Sequence, residues 1–220
     1  TLKCLADSHP NDLSYSIMLG NWLMHNDKQQ EAFKLFSDAL KTEPDNSYAQ
    51  SSMYDYYRSA GQDSLANTMK ERILLGKNTP VNNRIQFLRQ AIQEHEQQGG
   101  DSGQVISLLD RMQEVLPKDT NLAIMRVAYY TLKKMPEDSI NNALVQLLEL
   151  SPDNGGARFQ LIQNKWKHQD WATVDSLSEL GMLYNPDEMA FYYFSGLARY
   201  YQNNENGALE SFQKGTAEIN

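Results

Sequence analysis

Several stretches of the chain hold residue types that do chemistry in other settings. Gly100-Asp101-Ser102-Gly103 places a serine among small residues beside a carboxylate, the surroundings of a nucleophilic hydroxyl. Such a nucleophile needs a histidine base and an orienting carboxylate, and their geometry rather than the string defines the site. The histidines, at 9, 25, 95 and 168, are scattered. His95-Glu96 has no second histidine four residues on, so the paired-histidine zinc motif is missing. Asp153-Asn154-Gly155-Gly156 begins like a calcium loop but lacks the alternating oxygen ligands and the closing glutamate. Cys4 is the only cysteine, which excludes an internal disulfide and a thiolate metal site. No glycine-rich phosphate cradle occurs. The residues therefore predict no catalytic, cofactor-binding or metal-ligating group, and these stretches read as turns and caps. Ser102 is expected to cap a helix beginning near Gln104.

The elements that must position any functional side chain belong to a unit of about 34 residues that returns five or six times. Its clearest copy runs from Leu13 to Asn46. Leu13, Ile17, Gly20 and Met24 share one face at helical spacing. Asn26-Asp27 makes a turn, and Ala32, Leu35, Phe36, Ala39 and Leu40 line a second helix ended by Pro44. Gly20 and Ala32 mark the close approach of the two helices, and Phe36 is expected to fill the gap toward the next repeat. The last copy repeats the plan with Tyr192, Gly196, Ala208 and Phe212. Prolines at 44, 80, 117, 152 and 186 step by 36, 37, 35 and 34 residues. The third repeat is longer, with about six extra residues placed in a loose turn from Gln97 to Gly103. In the fourth, Met135-Pro136 breaks the helix pair. Leu88 and Ile162 stand where a small residue is usual, predicting helices that sit farther apart or splay there.

Charge and hydropathy narrow the function. With Lys+Arg 20 against Asp+Glu 28 the net charge is −8, which argues against a nucleic-acid partner. No apolar run approaches the roughly 18 residues a membrane span needs, so this segment is not expected to insert. The chain opens at Thr1 without a charged-then-apolar leader.

Leu19-Gly20, Ala32, Phe36, Ala39 and Pro44, and again Tyr192, Gly196, Ala208 and Phe212, resemble the tetratricopeptide repeat family. The resemblance covers nearly the whole chain. It implies an all-α fold, a right-handed α-α superhelix of antiparallel helix pairs with about six repeats. Residues 1–12 read as the tail of a preceding repeat, followed by repeats at 13–46, 47–80, 81–120, 121–154, 155–188 and 189–220. Leu2, Leu5 and Pro10 match the end of a second helix, and no capping helix is evident after Ile219, so the chain reads as a fragment of a longer array.

By the same resemblance the function is that of a non-enzymatic scaffold, without cofactors, binding a peptide or protein segment on a concave face lined by the first helices. Asn21, Met24, Asp55, Arg58, Tyr129, Lys133, Phe159, Gln163, Trp166, Tyr193, Leu197 and Tyr200 are the expected ligand-facing positions. The other reading is a spacer segment of a larger bacterial envelope, transport or regulatory protein. One subfamily grips the carboxylate tails of chaperones with lysines and asparagines. Here Asn21 fits one place, but Ile17, Ser52, Asn82 and Gln86 occupy the others, so that ligand is not expected. The Asn/Gln- and Tyr-rich repeats resemble bacterial envelope-associated members, favouring the periplasm slightly over the cytoplasm. Uncapped terminal repeats would also allow a homodimer.

Overall fold

The structure is a computed structural model and describes residues 1–218. The end of the chain beyond Ile219, where a capping helix was sought, lies outside the described residues. Thirteen α-helices account for the regular structure among the described residues. The chain divides into two compact units, Thr1–Leu116 and Pro117–Asn220.

The N-terminal unit holds α1 (Leu2–Ser8) and three helix pairs: α2 (Leu13–His25) with α3 (Gln29–Thr42), α4 (Ser47–Ser59) with α5 (Asp63–Leu75), and α6 (Val81–Gln97) with α7 (Ser102–Val115). The C-terminal unit holds α8 (Thr120–Leu132) with α9 (Glu137–Leu150), α10 (Gly155–Lys167) with α11 (Trp171–Tyr184), and α12 (Met189–Tyr201) with α13 (Glu205–Glu218). No described helix is long and apolar enough to cross a membrane.

Local sequence sets these boundaries. Within every pair, one turn residue takes a left-handed φ: Asp27, Gly61, Gly99, Lys134, Gln169 and Asn203, at 61°, 67°, 67°, 52°, 57° and 60°. The following N–H donates back to the carbonyl five residues earlier, for example Lys28 to Leu23 at 2.9 Å and Met135 to Tyr130 at 3.0 Å. This bond closes each first helix by satisfying a carbonyl that would otherwise lack a donor. At three of the five junctions between pairs, an Asp or Asn two residues after the proline caps the next helix, whereas α6 starts from Pro80 and α12 from Glu188 without a side-chain cap bond. Asn46, Asp119 and Asn154 accept from the backbone N–H of Ala49, Leu122 and Ala157 at 3.0, 3.1 and 3.0 Å. Asp101, not Ser102, caps α7, accepting from Gly103 at 3.0 Å; Ser102 is already the first helical residue.

The eighth residue of each helix shows how the pairs fit together. In α2 and α3 these are Gly20 and Phe36, and a Cβ on Gly20 would stand only 2.5 Å from Phe36 Cε1. Phe36 thus fills its own hairpin rather than the gap toward the next repeat, because the missing glycine side chain leaves room for its ring. Gly196 and Phe212 make the same contact in α12 and α13. At the equivalent positions of α10 and α11 the sizes are reversed: Ile162 and Ser178, both fully buried. A large residue on the first helix is therefore matched by a small one on the second. The third pair has Leu88 and Leu109, also fully buried, and the fourth Val127 and Leu144.

A second device recurs at the fourth residue of several first helices. Gln50, Arg84 and Arg158 are buried there, at 3%, 3% and 2% exposure, and each donates to a carbonyl of the turn just before. Gln50 reaches Pro44 at 2.8 Å, Arg84 reaches Gly76 at 2.6 Å and Thr79 at 3.0 Å, and Arg158 reaches Pro152 at 2.6 Å. Each side chain pins an inter-repeat turn to the helix that follows. Burial holds the Arg158 guanidinium below its ordinary pKa.

The third pair departs from the expected loose turn. α6 has 17 residues where α2, α4, α8, α10 and α12 have 13, so most of the extra residues extend the helix.

Candidate functional site

In the C-terminal unit, α10 carries Phe159, Gln163 and Trp166 at its fifth, ninth and twelfth positions, and α12 carries Tyr193, Leu197 and Tyr200 at the same places. Spacings of four and three residues put each trio on one helix face. Phe194, which the sequence reading left out, joins the two helices. Its ring centroid lies 5.6 Å from Phe159, 5.4 Å from Trp166 and 5.9 Å from Tyr193, each edge to face. Trp171 at the start of α11 and Tyr201 at the end of α12 extend the array. They stack on each other at 4.6 Å, and Trp166 meets them at 4.8 and 5.9 Å. Tyr200 meets Tyr201 at 5.9 Å. The result is a continuous aromatic ladder. Edge-to-face rings hold one another in fixed orientation, so the surface is preformed.

The ladder has a packed side and an open side. Trp166, Trp171 and Phe194 pack on the core formed by Ile162, Val174, Phe191 and Ala198. Tyr193, Tyr200 and Tyr201 remain 56%, 57% and 51% exposed. Leu197 is half-buried, and Gln163 is exposed. At the Phe159 end lies a pocket of about 420 Å3 lined by Gly155, Gly156, Asn185, Glu188 and Phe191. A second pocket, of about 560 Å3, lies on the other flank of α10 and includes Gln163.

Two expected positions in this unit face elsewhere. Tyr129 is buried, at 5% exposure, with the Lys133 ammonium 5.5 Å from its ring centroid. Lys133 lies just past the end of α8 as its C-cap. The α8 residues in register with the ladder positions are Ile124, Ala128 and Thr131, all exposed. An error of one to two residues in register rotates a helical position by 100° or more, which explains the difference.

The N-terminal unit gathers a different chemistry. Asn21 and Met24 are half-buried, and Met24 packs against the core around Ile17 and Phe36. Asp55 and Arg58 are exposed. Arg58 pairs with Glu94 at 3.5 Å, Tyr54 reaches the same carboxylate at 3.5 Å, and Gln90 donates to it at 2.9 Å. Glu94 is the fourteenth residue of α6, so the lengthened helix supplies it. A polar pocket of about 470 Å3 beside this cluster includes Asp63, Lys70 and Gln104. Lys70 stands where Phe36 and Phe212 fill their own hairpins.

Although exposed by area, the Asp55 carboxylate is crowded. Loss of hydration, and then the Glu94 charge, hold its pKa above the usual carboxylate value. The Tyr54 hydroxyl is raised for the same two reasons. Ionised Asp55 therefore opposes folding at neutral pH, and this penalty disappears as pH falls through the raised pKa. Asp55→Asn is expected to raise the melting temperature at pH 7 and to lose that advantage in acid. Thermal unfolding from pH 3 to 8 checks this; a lower melting temperature at pH 7 would show that the carboxylate is stabilising where it stands.

No family model matches the chain, and no curated protein matches it. Solved structures with a similar course include the crystal structure of MamA, 12% identical, covering 91% of this chain and 94% of that one at a TM-score of 0.43. MamA 41-end from Desulfovibrio magneticus RS-1 is 10% identical, covers 94% of each chain and has a TM-score of 0.40. The APC/C hetero-tetramer Cut9-Hcn1 is 14% identical, covering 99% of this chain and 42% of that one at a TM-score of 0.40. The paired helices, their repeat length and the glycine-on-phenylalanine contacts give this chain an all-α helical-repeat fold similar to that of tetratricopeptide repeats.

Proposed function

We propose that the chain is a non-catalytic protein-interaction scaffold and that the aromatic ladder of its C-terminal unit is the contact surface. The bound species is a peptide or protein segment that lays apolar side chains on Tyr193, Leu197 and Tyr200. One observation carries this reading: three tyrosines on one helix stay more than half exposed while their neighbours lock them from behind. Rigid amphipathic rings of this kind dominate binding surfaces because little side-chain entropy is lost on contact. Burying one large side chain contributes about 1.5–3 kcal/mol. Two such anchors contribute about 3–6 kcal/mol, and the rest of a micromolar affinity, about 8 kcal/mol, comes from the segment's further contacts.

The test is a Tyr193→Ala/Tyr200→Ala variant. Both rings are exposed, so the unit is expected to fold as before. Binding of a peptide partner is expected to weaken by at least about tenfold, the equivalent of about 1.4 kcal/mol. Unchanged affinity in the folded variant would move the contact off the ladder.

A further inference from the structure

We propose that the pocket beside the α8–α9 turn is a carboxylate-binding site, receiving an acidic group of the same polypeptide segment that lies on the ladder. This rests on the reading of the ladder given above. The pocket, of about 560 Å3, is walled by Thr131, Lys134, Glu137, Gln160, Gln163 and Lys167.

Three observations point to that ligand. The first is charge. In a chain of net charge −8, this pocket brings together two lysines without a carboxylate on either. Lys134 makes no ion pair among the described residues, and Lys167 reaches only the Asn164 amide oxygen, at 3.4 Å. Glu137, the acid on the same wall, is engaged by His168 Nε2 at 2.8 Å. Two lysines on one pocket wall against the single carboxylate of Glu137 favour an incoming anion.

The second is the backbone. Lys134 occupies the left-handed turn position of its hairpin, at φ 52°. The other hairpins place Asp27, Gly61, Gly99, Gln169 and Asn203 there. Glycine, asparagine and aspartate take this conformation with least strain, and a lysine does not. Gln169 shares this strain in the next hairpin, so the turn geometry imposes it, and at Lys134 it fixes the lysine backbone beside the pocket.

The third is order and position. Gln160 donates to Thr131 at 3.0 Å, and Asn164, only 8% exposed, donates to Asn141 at 2.8 Å, which leaves its oxygen toward Lys167. The wall is thus built before any ligand arrives. Gln160, Gln163 and Lys167 run along α10 beside Phe159 and Trp166, so pocket and ladder are two flanks of one helix. The Gln163 side chain between them makes no hydrogen bond among the described residues. A segment crossing α10 meets aromatic rings on one side and two ammonium groups on the other.

Amide NMR titrations test this, using N-acetylglycine for a chain-terminal carboxylate, N-acetylglutamate α-amide for a side-chain carboxylate, and acetamide as the uncharged control. Saturable shifts are expected over residues 131–140 and 160–167 with at least one carboxylate and not with acetamide. The tighter of the two arms identifies the source. Lys134→Gly/Lys167→Met is expected to bind at least tenfold more weakly, while Lys134→Gly alone raises the melting temperature by relieving the turn. The Tyr193→Ala/Tyr200→Ala variant is expected to keep the shifts, so a failure of the ladder is seen separately from a failure of the pocket. Absence of saturable shifts with both carboxylates, equal shifts with acetamide, or full binding by the folded lysine double variant would overturn the proposal.

Discussion

Arg199→Met is expected to destabilise the C-terminal unit by about 3–5 kcal/mol. Arg199 lies on α12 with its side chain only 16% exposed, and it ties three helices together. Its Nε donates to both oxygens of Asp175 on α11, at 3.1 and 3.0 Å, and one Nη pairs with Glu179 on the same helix. The other Nη reaches Ser211 Oγ at 3.1 Å on α13. Ser195 Oγ donates to Asp175 at 2.6 Å and lies 3.1 Å from Ser211 Oγ, and both serines are essentially inaccessible. Methionine keeps the apolar stem but lacks the guanidinium, which leaves the Asp175 carboxylate, 20% exposed, without its cation. An uncompensated buried charge costs far more than a surface pair is worth, which is about 0–1 kcal/mol. Denaturant unfolding with hydrogen exchange across α11–α13 measures the loss. Removing both partners, as Arg199→Met/Asp175→Met, is expected to recover a good part of it, because the stranded charge goes too. A loss below about 1 kcal/mol for Arg199→Met alone would show that water already screens the pair.

The second large effect concerns helix fit. Gly196→Ile is expected to destabilise by about 1–3 kcal/mol or more, because its Cβ would run into the Phe212 ring. Phe212→Ser alone opens a cavity, and deletions of a packed phenylalanine side chain typically cost about 3–5 kcal/mol. Combined, the two changes reproduce the Ile162 and Ser178 pair that α10 and α11 already use. The double variant is therefore expected to be more stable than the sum of the single losses, by a coupling of about 0.5–3 kcal/mol. A double-mutant cycle by thermal unfolding measures that term. Strict additivity would show that the eighth positions do not read each other's size. Gly20→Leu is the matching single change in the N-terminal unit, where Phe36 stands in the way.

Most of this architecture is legible in the residues because the signals are local. The prolines and the Asp or Asn caps after them depend on backbone chemistry within a few residues. So do the turns at Asp27, Gly61 and Asn203, whose residue types suit a left-handed φ. Lys134 and Gln169 adopt the same turn without that signal, since the hairpin geometry imposes it on them. The extension of α6 was hidden because Gln97–Gly103 is polar and glycine-rich, while the helix ends only when Gly99 supplies the left-handed residue. Glu94 beside Arg58 follows from that extra length and from packing across repeats.

The ladder was half visible. Phe159, Trp166, Tyr193 and Tyr200 follow from helical spacing, but Phe194, Trp171 and Tyr201 join them through tertiary packing. The concentration of aromatics in α12, from Phe191 through Tyr201, was the signal that could have flagged the cluster. Tyr129 and Lys133 show the reverse case: both are attractive residue types, but the register of α8 buries one and places the other beyond the helix.

The measurement that bears most directly on the central claim is a selection of random twelve-residue peptides displayed on phage against the folded chain, with the Tyr193→Ala/Tyr200→Ala variant as counter-target. Enriched peptides carrying two spaced apolar or aromatic anchors are predicted, binding the chain and losing at least about tenfold in affinity for the variant. Peptides that bind both proteins equally, or a selection that yields no binder to the C-terminal unit, would contradict the ladder as the contact surface.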